Sequence, residues 1–271
     1  MASIGIFDSG YGGLTIFKTI RAQMPGYNYI YLGDNARAPY GNRTFETVYE
    51  YTWQCVQWLF SQGCDLVILA CNTASAKALR NIQQNNLPKN FPAKRVLGVI
   101  RPTAEIIGNY SKSKHIGILG TQGTVQSQSY LIEIDHFFPE LKVEQHACPL
   151  WVPLIESNDL DSEEALAIIK ADVEKVLEKD KHIDTLLLAC THYPLVKDKM
   201  QQFVPKNVTI VGQDELVANS LRDYLQRHPE IEIKLTKDGK RAFFTTGDAR
   251  DFEAHTQMFF GSQIEATHVD L

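Results

Sequence analysis

The chain has 271 residues, 44% hydrophobic and 22% charged, with 27 basic against 32 acidic residues and a net charge of −5. That apolar fraction excludes a disordered chain, and the acidic balance argues against a general binder of nucleic acid or anionic membranes. No apolar run reaches the roughly 18–20 residues that span a bilayer, and the first residues lack a signal peptide's basic head and apolar middle, so a cytoplasmic location is expected.

Short apolar runs alternate with amphipathic segments along the chain, the pattern of βαβ units and parallel sheets. Strands are predicted at Ser3–Phe7, Tyr29–Leu32, Leu66–Ala70, Arg95–Val99, His115–Leu119, Lys142–Gln145, Thr185–Ala189, Val208–Val211 and Arg241–Thr245. A helix is predicted over Thr44–Ser61, where Phe45, Val48, Tyr49, Val56, Leu59 and Phe60 define one apolar face. Lys77–Leu87 and Gln213–Gln226 also read as helical. Asp161 followed by Glu164 has capping-box spacing and opens a helix striped by Leu166, Ile169, Val173, Val176 and Leu177.

An approximate internal repeat organises these elements. Asp65-Leu66-Val67-Ile68-Leu69-Ala70-Cys71-Asn72-Thr73 matches Asp184-Thr185-Leu186-Leu187-Leu188-Ala189-Cys190-Thr191-His192, and Ile4-Gly5-Ile6-Phe7 matches Ile116-Gly117-Ile118-Leu119. The two matches occur in the same order with nearly the same offset. They predict two similar α/β domains with mainly parallel sheets, related by a pseudo-twofold axis, with the active site in the cleft between them. The expected boundaries put residues 1–97 and 212–271 in the first domain and 98–211 in the second.

In open parallel sheets, ligands bind beyond the carboxyl ends of the strands. Asp8-Ser9-Gly10-Tyr11-Gly12-Gly13 occupies such an end but fails the dinucleotide fingerprint, because Thr15 stands at the last glycine position. Cys71-Asn72-Thr73 and Cys190-Thr191-His192 occupy two more. A thiol at a helix N-terminus is expected to be partly exposed, with its pKa below the usual value of about 8.5. The equivalence of the two positions matters more than either alone. If the repeats face each other, one sulfur approaches each face of a single carbon, roughly 7 Å apart. One group then removes an acidic C–H proton while the other delivers a proton to the opposite face, which inverts the stereocentre.

The residues that carry this reading also carry a resemblance. Ile6-Phe7-Asp8-Ser9-Gly10-x-Gly12-Gly13-Leu14, Gly33-Asp34, Pro39-Tyr40-Gly41, Ala70-Cys71-Asn72-Thr73-Ala74, Cys148-Pro149-Leu150-Trp151-Val152-Pro153-Leu154-Ile155-Glu156, Cys190-Thr191-His192-Tyr193-Pro194 and Thr245-Thr246-Gly247-Asp248 occur in order over nearly the whole chain. Together they resemble glutamate racemases of the cofactor-independent aspartate/glutamate racemase superfamily.

The resemblance implies that Cys71 takes the α-proton of D-glutamate and Cys190 that of L-glutamate. It implies that Asp8 either assists Cys71 or engages the substrate ammonium, and that His192 and Glu156 accompany Cys190. Ser9, Tyr40, Gly41, Asn72, Thr73 and Thr191 match positions that hold the carboxylates and ammonium, and Thr121 is a weaker addition. It further implies no cofactor, a homodimer and D-glutamate for peptidoglycan. Ala189, Thr103 and Gln213-Asp214 depart from the family's usual residues, and no role is assigned to them.

Cys55, Cys64 and Cys148 read as packing residues, so the odd count of five cysteines reflects free thiols in a reducing compartment. A metal at Cys190 and His192 would need further ligands at recognisable spacing, so none is expected.

Overall fold

Strand β1 (Ser3–Asp8) sends Ile4 and Ile6 into one apolar cluster and Phe7 into another on the opposite side. A strand covered by helices on both faces must be apolar at consecutive positions, which is why the runs are continuous rather than alternating. Each of these fully buried side chains stabilises the fold by roughly 1.5–3 kcal/mol relative to exposure. Strand β3 (Cys64–Leu69) repeats the division, with Leu66 and Ile68 on the side of Ile4, and Val67 and Leu69 on the side of Phe7.

The computed structural model describes residues 2–271 and contains two sheets of parallel strands. In the first, β2 (Tyr29–Gly33), β1, β3 and β4 (Arg95–Gly98) lie side by side in that order. In the second the order is β6 (Lys142–Ala147), β5 (His115–Gly120), β7 (Thr185–Ala189) and β8 (Thr209–Val211). The second sheet therefore repeats the order of the first: β5 takes the place of β1, and β7 the place of β3. The sequence repeat is thus a repeat of topology. Strands β9 (Arg241–Thr245) and β10 (Thr267–His268) extend the first sheet beyond β2. The two-residue β10 is exposed and carries no apolar pattern, so it was not among the predicted strands.

Both sheets contribute to one apolar cluster, which contains Ile6 and Ile68 from the first and Leu119, Leu186 and Leu188 from the second. The helix Asp214–Arg227 packs on the helix Gly13–Gln23 through buried Val217, Leu221 and Leu225. Among the described residues, no helix is long and apolar enough to cross a membrane.

Two local expectations are corrected. Ser162, not Asp161, caps the helix Glu163–Lys179, accepting the Ala165 N–H at 3.1 Å. The Asp161 carboxylate is drawn instead to the Lys199 ammonium. Lys77–Leu87 is not one regular helix: it passes through a π turn at Ile82–Asn86. Pro88 cannot donate the N–H that the Gln84 carbonyl would accept in an unbroken α-helix. On the helix Phe45–Ser61, Trp53 and Trp58 meet Phe91 and Phe244 at ring separations of 5.9 and 5.0 Å.

Candidate active site

The carboxyl ends of β1, β3, β5, β6 and β7 converge on a cavity of about 80 Å³. Ser9, Tyr40, Gly41, Cys71, Asn72 and Thr73 line it from the first sheet's side. Thr121, Glu156, Cys190, Thr191 and His192 line it from the second. Asp8 does not reach the wall; it lies buried behind it, 1% exposed.

On the first side, Cys71 caps the short helix Asn72–Lys77, its sulfur accepting the Ala74 N–H at 3.4 Å and standing 3.3 Å from Ser9 Oγ. The expected partial exposure and lowered pKa are not found. Cys71 is 6% exposed, and burial pushes its thiol up to about 12, with the Asp8 carboxylate adding to the rise. The Ser9 hydroxyl and the Ala74 N–H oppose this without overcoming it. Desolvation outweighs the N-terminal dipole because the buried sulfur gives up its hydration and receives only one backbone N–H and a partial charge in return. Asp8 Oδ2 accepts the Gly10 N–H at 2.9 Å, while its buried Oδ1 has no hydrogen-bond partner among the described residues. Burial raises the pKa of Asp8, opposed by the charge of His192 and by the Gly13 and Gly10 N–H groups.

On the second side the helix-terminus expectation also fails. Cys190 enters a turn followed only by the four-residue 3₁₀ segment Tyr193–Val196, and it is again 6% exposed. Side chains take over the electrostatic role. Cys190 Sγ lies 4.0 Å from His192 Nδ1, and His192 Nε2 lies 2.9 Å from Glu156 Oε1. Burial works against charging His192, yet its contacts with Cys190 and Glu156 push its pKa up to about 10. His192 therefore stands between the Cys190 sulfur and a carboxylate, both of which favour its protonated form.

The raised value has a definite sign. The stabilisation from protonated His192 is complete below its ordinary pKa of 6.5 and is lost as pH rises through about 10. Glu156→Gln removes the charge partner, so the imidazolium deprotonates at lower pH. For any reaction in which the Cys190 sulfur takes up a proton, kcat/KM at about pH 9 should fall about tenfold, with little change near neutrality. A kcat/KM profile against pH for both enzymes checks this, and superimposable descending limbs would contradict it.

Contacts between the two sides close the cavity. Thr73 Oγ1 and Thr121 Oγ1 are 2.9 Å apart, and Thr121 also caps the helix Gln122–Gln126. The Gly41 carbonyl accepts the Gly123 N–H at 2.8 Å, while the Tyr40 hydroxyl donates to buried Asp34. Tyr40 therefore presents its ring to the cavity and its hydroxyl to the protein.

Cys148 is fully buried in the core, as expected for a packing residue, and it also borders the cavity. It lines the cavity just beyond β6, the position relative to its strand that singled out Cys71 and Cys190, so the same end-of-strand rule would have found it. Burial and the charge of Asp172 hold its pKa well above the ordinary thiol value. His146, Cys148 and Asp172 bring ligand-type atoms within 4.8 Å of one another, and His146 Nε2 lies 2.8 Å from Asp172 Oδ1. Cys55 and Cys64 are fully buried in the core, as expected.

The sequence pattern of Asp/Glu/Hydantoin racemases matches residues 14–218. The chain belongs to this family. A glutamate racemase of Paracoccus denitrificans is 42% identical over 97% of this chain and 98% of its own length. One from Roseobacter denitrificans is 40% identical over 97% of this chain and 98% of its own length. A crystal structure of a Bacillus anthracis glutamate racemase isoform superposes with a TM-score of 0.90 at 35% identity, covering 100% of this chain and 98% of that one. That of the Francisella tularensis glutamate racemase in complex with D-glutamate gives 0.87 at 28% identity, covering 99% and 97%. An aspartate racemase from Picrophilus torridus, 20% identical with a TM-score of 0.55, covering 83% of this chain and 95% of its own, shares the fold. With these relatives the chain stands among the glutamate racemases, which are isomerases.

Proposed function

We propose that the chain interconverts L- and D-glutamate without a cofactor, with Cys71 and Cys190 as the two proton-transfer groups. The observation that carries this reading is that two thiols, at equivalent strand ends of two repeated sheets, open onto one small cavity. In the direction from L-glutamate, Cys190 removes the α-proton while Cys71, held as a thiol by burial, supplies its proton to the opposite face. The roles exchange in the reverse direction. His192, ion-paired with Glu156, meets the negative charge that Cys190 carries during transfer.

The carbanion-like intermediate pushes charge onto the α-carboxylate. Ser9, Asn72, Thr73, Thr121 and Thr191, together with the backbone at Gly41, are the donors in this reading. They also offset the slight repulsion between a net charge of −5 and a dianionic substrate. Asp8, buried behind the wall, is assigned to the Cys71 side as an assistant in its proton transfers, its charge acting on the thiol rather than on the substrate. Residues 1–97 with 212–271 and residues 98–211 form the two domains of this reading, a division supported by the strands each sheet contains. A homodimeric, cytoplasmic enzyme that supplies D-glutamate to peptidoglycan synthesis belongs to the same proposal and rests on the resemblance of the sequence motifs alone.

The test is proton NMR in D₂O with the reduced protein. Either enantiomer of glutamate should exchange its α-proton for deuterium as the optical rotation decays. Absence of exchange from both would falsify the reading.

A further inference from the structure

Behind Asn72, three side chains from distant parts of the chain close a ring of hydrogen bonds. Asn72 Nδ2 donates to Gln213 Oε1 at 2.7 Å. Gln213 Nε2 donates to the Tyr130 hydroxyl at 2.6 Å, and that hydroxyl donates to Asn72 Oδ1 at 2.6 Å. The second Gln213 N–H reaches Thr103 Oγ1 at 2.9 Å, and the Thr103 hydroxyl passes its own hydrogen to the Val99 carbonyl at 2.8 Å. All four side chains are at most 2% exposed. Thr103 and Gln213, two positions where the sequence departs from the pattern it resembles, are thus bonded to each other.

The ring has only one consistent sense. It is set from outside the ring. The Thr103 hydroxyl gives its hydrogen to the Val99 carbonyl, so the Gln213 atom 2.9 Å from Thr103 Oγ1 and 3.4 Å from that carbonyl must be the N–H-bearing nitrogen. Tyr130 then accepts from that nitrogen and gives its single hydrogen to Asn72. This sets the orientation of the Gln213 amide, which in turn points an oxygen at the Asn72 nitrogen. The Asn72 amide is therefore held against a flip from both ends. One of its two N–H hydrogens is committed to Gln213, and the other is left over on a residue that lines the cavity beside Cys71. In a buried ring each bond polarises the next, and breaking one leaves polar groups unpaired.

We propose that Gln213, acting through Tyr130 and backed by Thr103, is a positioning residue that holds the Asn72 amide with its remaining N–H toward the substrate carboxylate. This inference rests on the reading of Asn72 as a substrate contact. Gln213 does not line the cavity and acts only through Asn72.

The experiment compares Asn72→Ala, Tyr130→Phe, Gln213→Met and the two double variants that combine Asn72→Ala with each of the others. Steady-state kinetics are measured in both directions, alongside thermal melting. Tyr130→Phe and Gln213→Met should each raise KM for glutamate about tenfold, the size of one hydrogen bond to a charged group, with kcat within about threefold. Asn72→Ala should raise KM at least as much. In the Asn72→Ala background, neither second substitution should add more than about twofold, because the group they position is gone. Additive effects in the double variants would overturn the proposal, since Gln213 would then act on the fold at large. An effect of Asn72→Ala with none from Tyr130→Phe or Gln213→Met would overturn the positioning role and leave the substrate reading of Asn72 intact. No effect of Asn72→Ala would overturn both. If Gln213→Met does not fold, Tyr130→Phe carries the same comparison, since it removes one oxygen and keeps the aromatic ring.

Discussion

Cys71→Ser and Cys190→Ser should each lower the rate of net racemisation about 10³-fold in both directions, a loss of the size expected when a general acid–base group fails. The fold should survive. Serine is a favoured N-cap, so at position 71 it can still accept the Ala74 N–H that the sulfur accepts at 3.4 Å, and it remains next to Ser9. What it loses is acidity: an alcohol holds its proton far more tightly than a thiol, even one pushed up to about 12 by burial. Each variant keeps one functional sulfur on one face of the substrate. Residual deuterium exchange should therefore become one-sided, restricted to L-glutamate when Cys71 is replaced and to D-glutamate when Cys190 is replaced. Polarimetry together with NMR in D₂O reads both effects. A variant retaining more than about a tenth of parental racemisation would remove that cysteine from the mechanism.

Gly12→Ala should lower kcat/KM about 100-fold without touching a proposed reacting group. A Cβ at position 12 would stand 2.3 Å from His192 Nδ1, 2.3 Å from Thr191 Oγ1 and 2.5 Å from His192 Cε1. His192 and Thr191 are buried, and the only space beside them among the described residues is the cavity they line, so any retreat is into the site. The added methyl must displace the imidazole from Cys190 and Glu156 or separate the turn after β1 from the turn after β7. Overpacking of this kind costs about 1–3 kcal/mol, so the melting temperature should also drop, by about 2–10 °C. Gly26→Ala is the control. A Cβ there meets nothing within 4 Å, so activity and melting temperature should stay near parental values. Equal behaviour of the two variants would show that the close approach at Gly12 does not hold the site together.

Of the fold, the strands and their repeat were legible because their signals are local. An apolar run such as Leu186-Leu187-Leu188 buries both faces of a strand, whatever lies elsewhere in the chain. The repeated sheet order and the two Ala-Cys strand ends follow from that pattern. The helix over Lys77–Leu87 was misread because its apolar spacing says nothing about the carbonyl that Pro88 leaves without a partner.

The candidate site divides along a similar line. Cys71 and Cys190, and the expectation that two strand ends face one cleft, came from residue order, whereas His192 and Glu156 came with the resemblance to glutamate racemases. Two things came from neither: the raised thiol pKa of Cys71 and the raised pKa of His192. Each depends on what distant segments stack over a group, and so on desolvation that no local pattern records. The Asn72 ring is the extreme case. Its bonds join residues 141 and 58 positions apart, with Gln213 and Tyr130 supplying partners that have no motif of their own. The sequence by itself singled out the two strand-end thiols proposed to carry the chemistry, because residue type and strand position are local properties. Only the tertiary structure decided their protonation and orientation, because burial and long-range hydrogen bonds exist only once the chain has closed on itself.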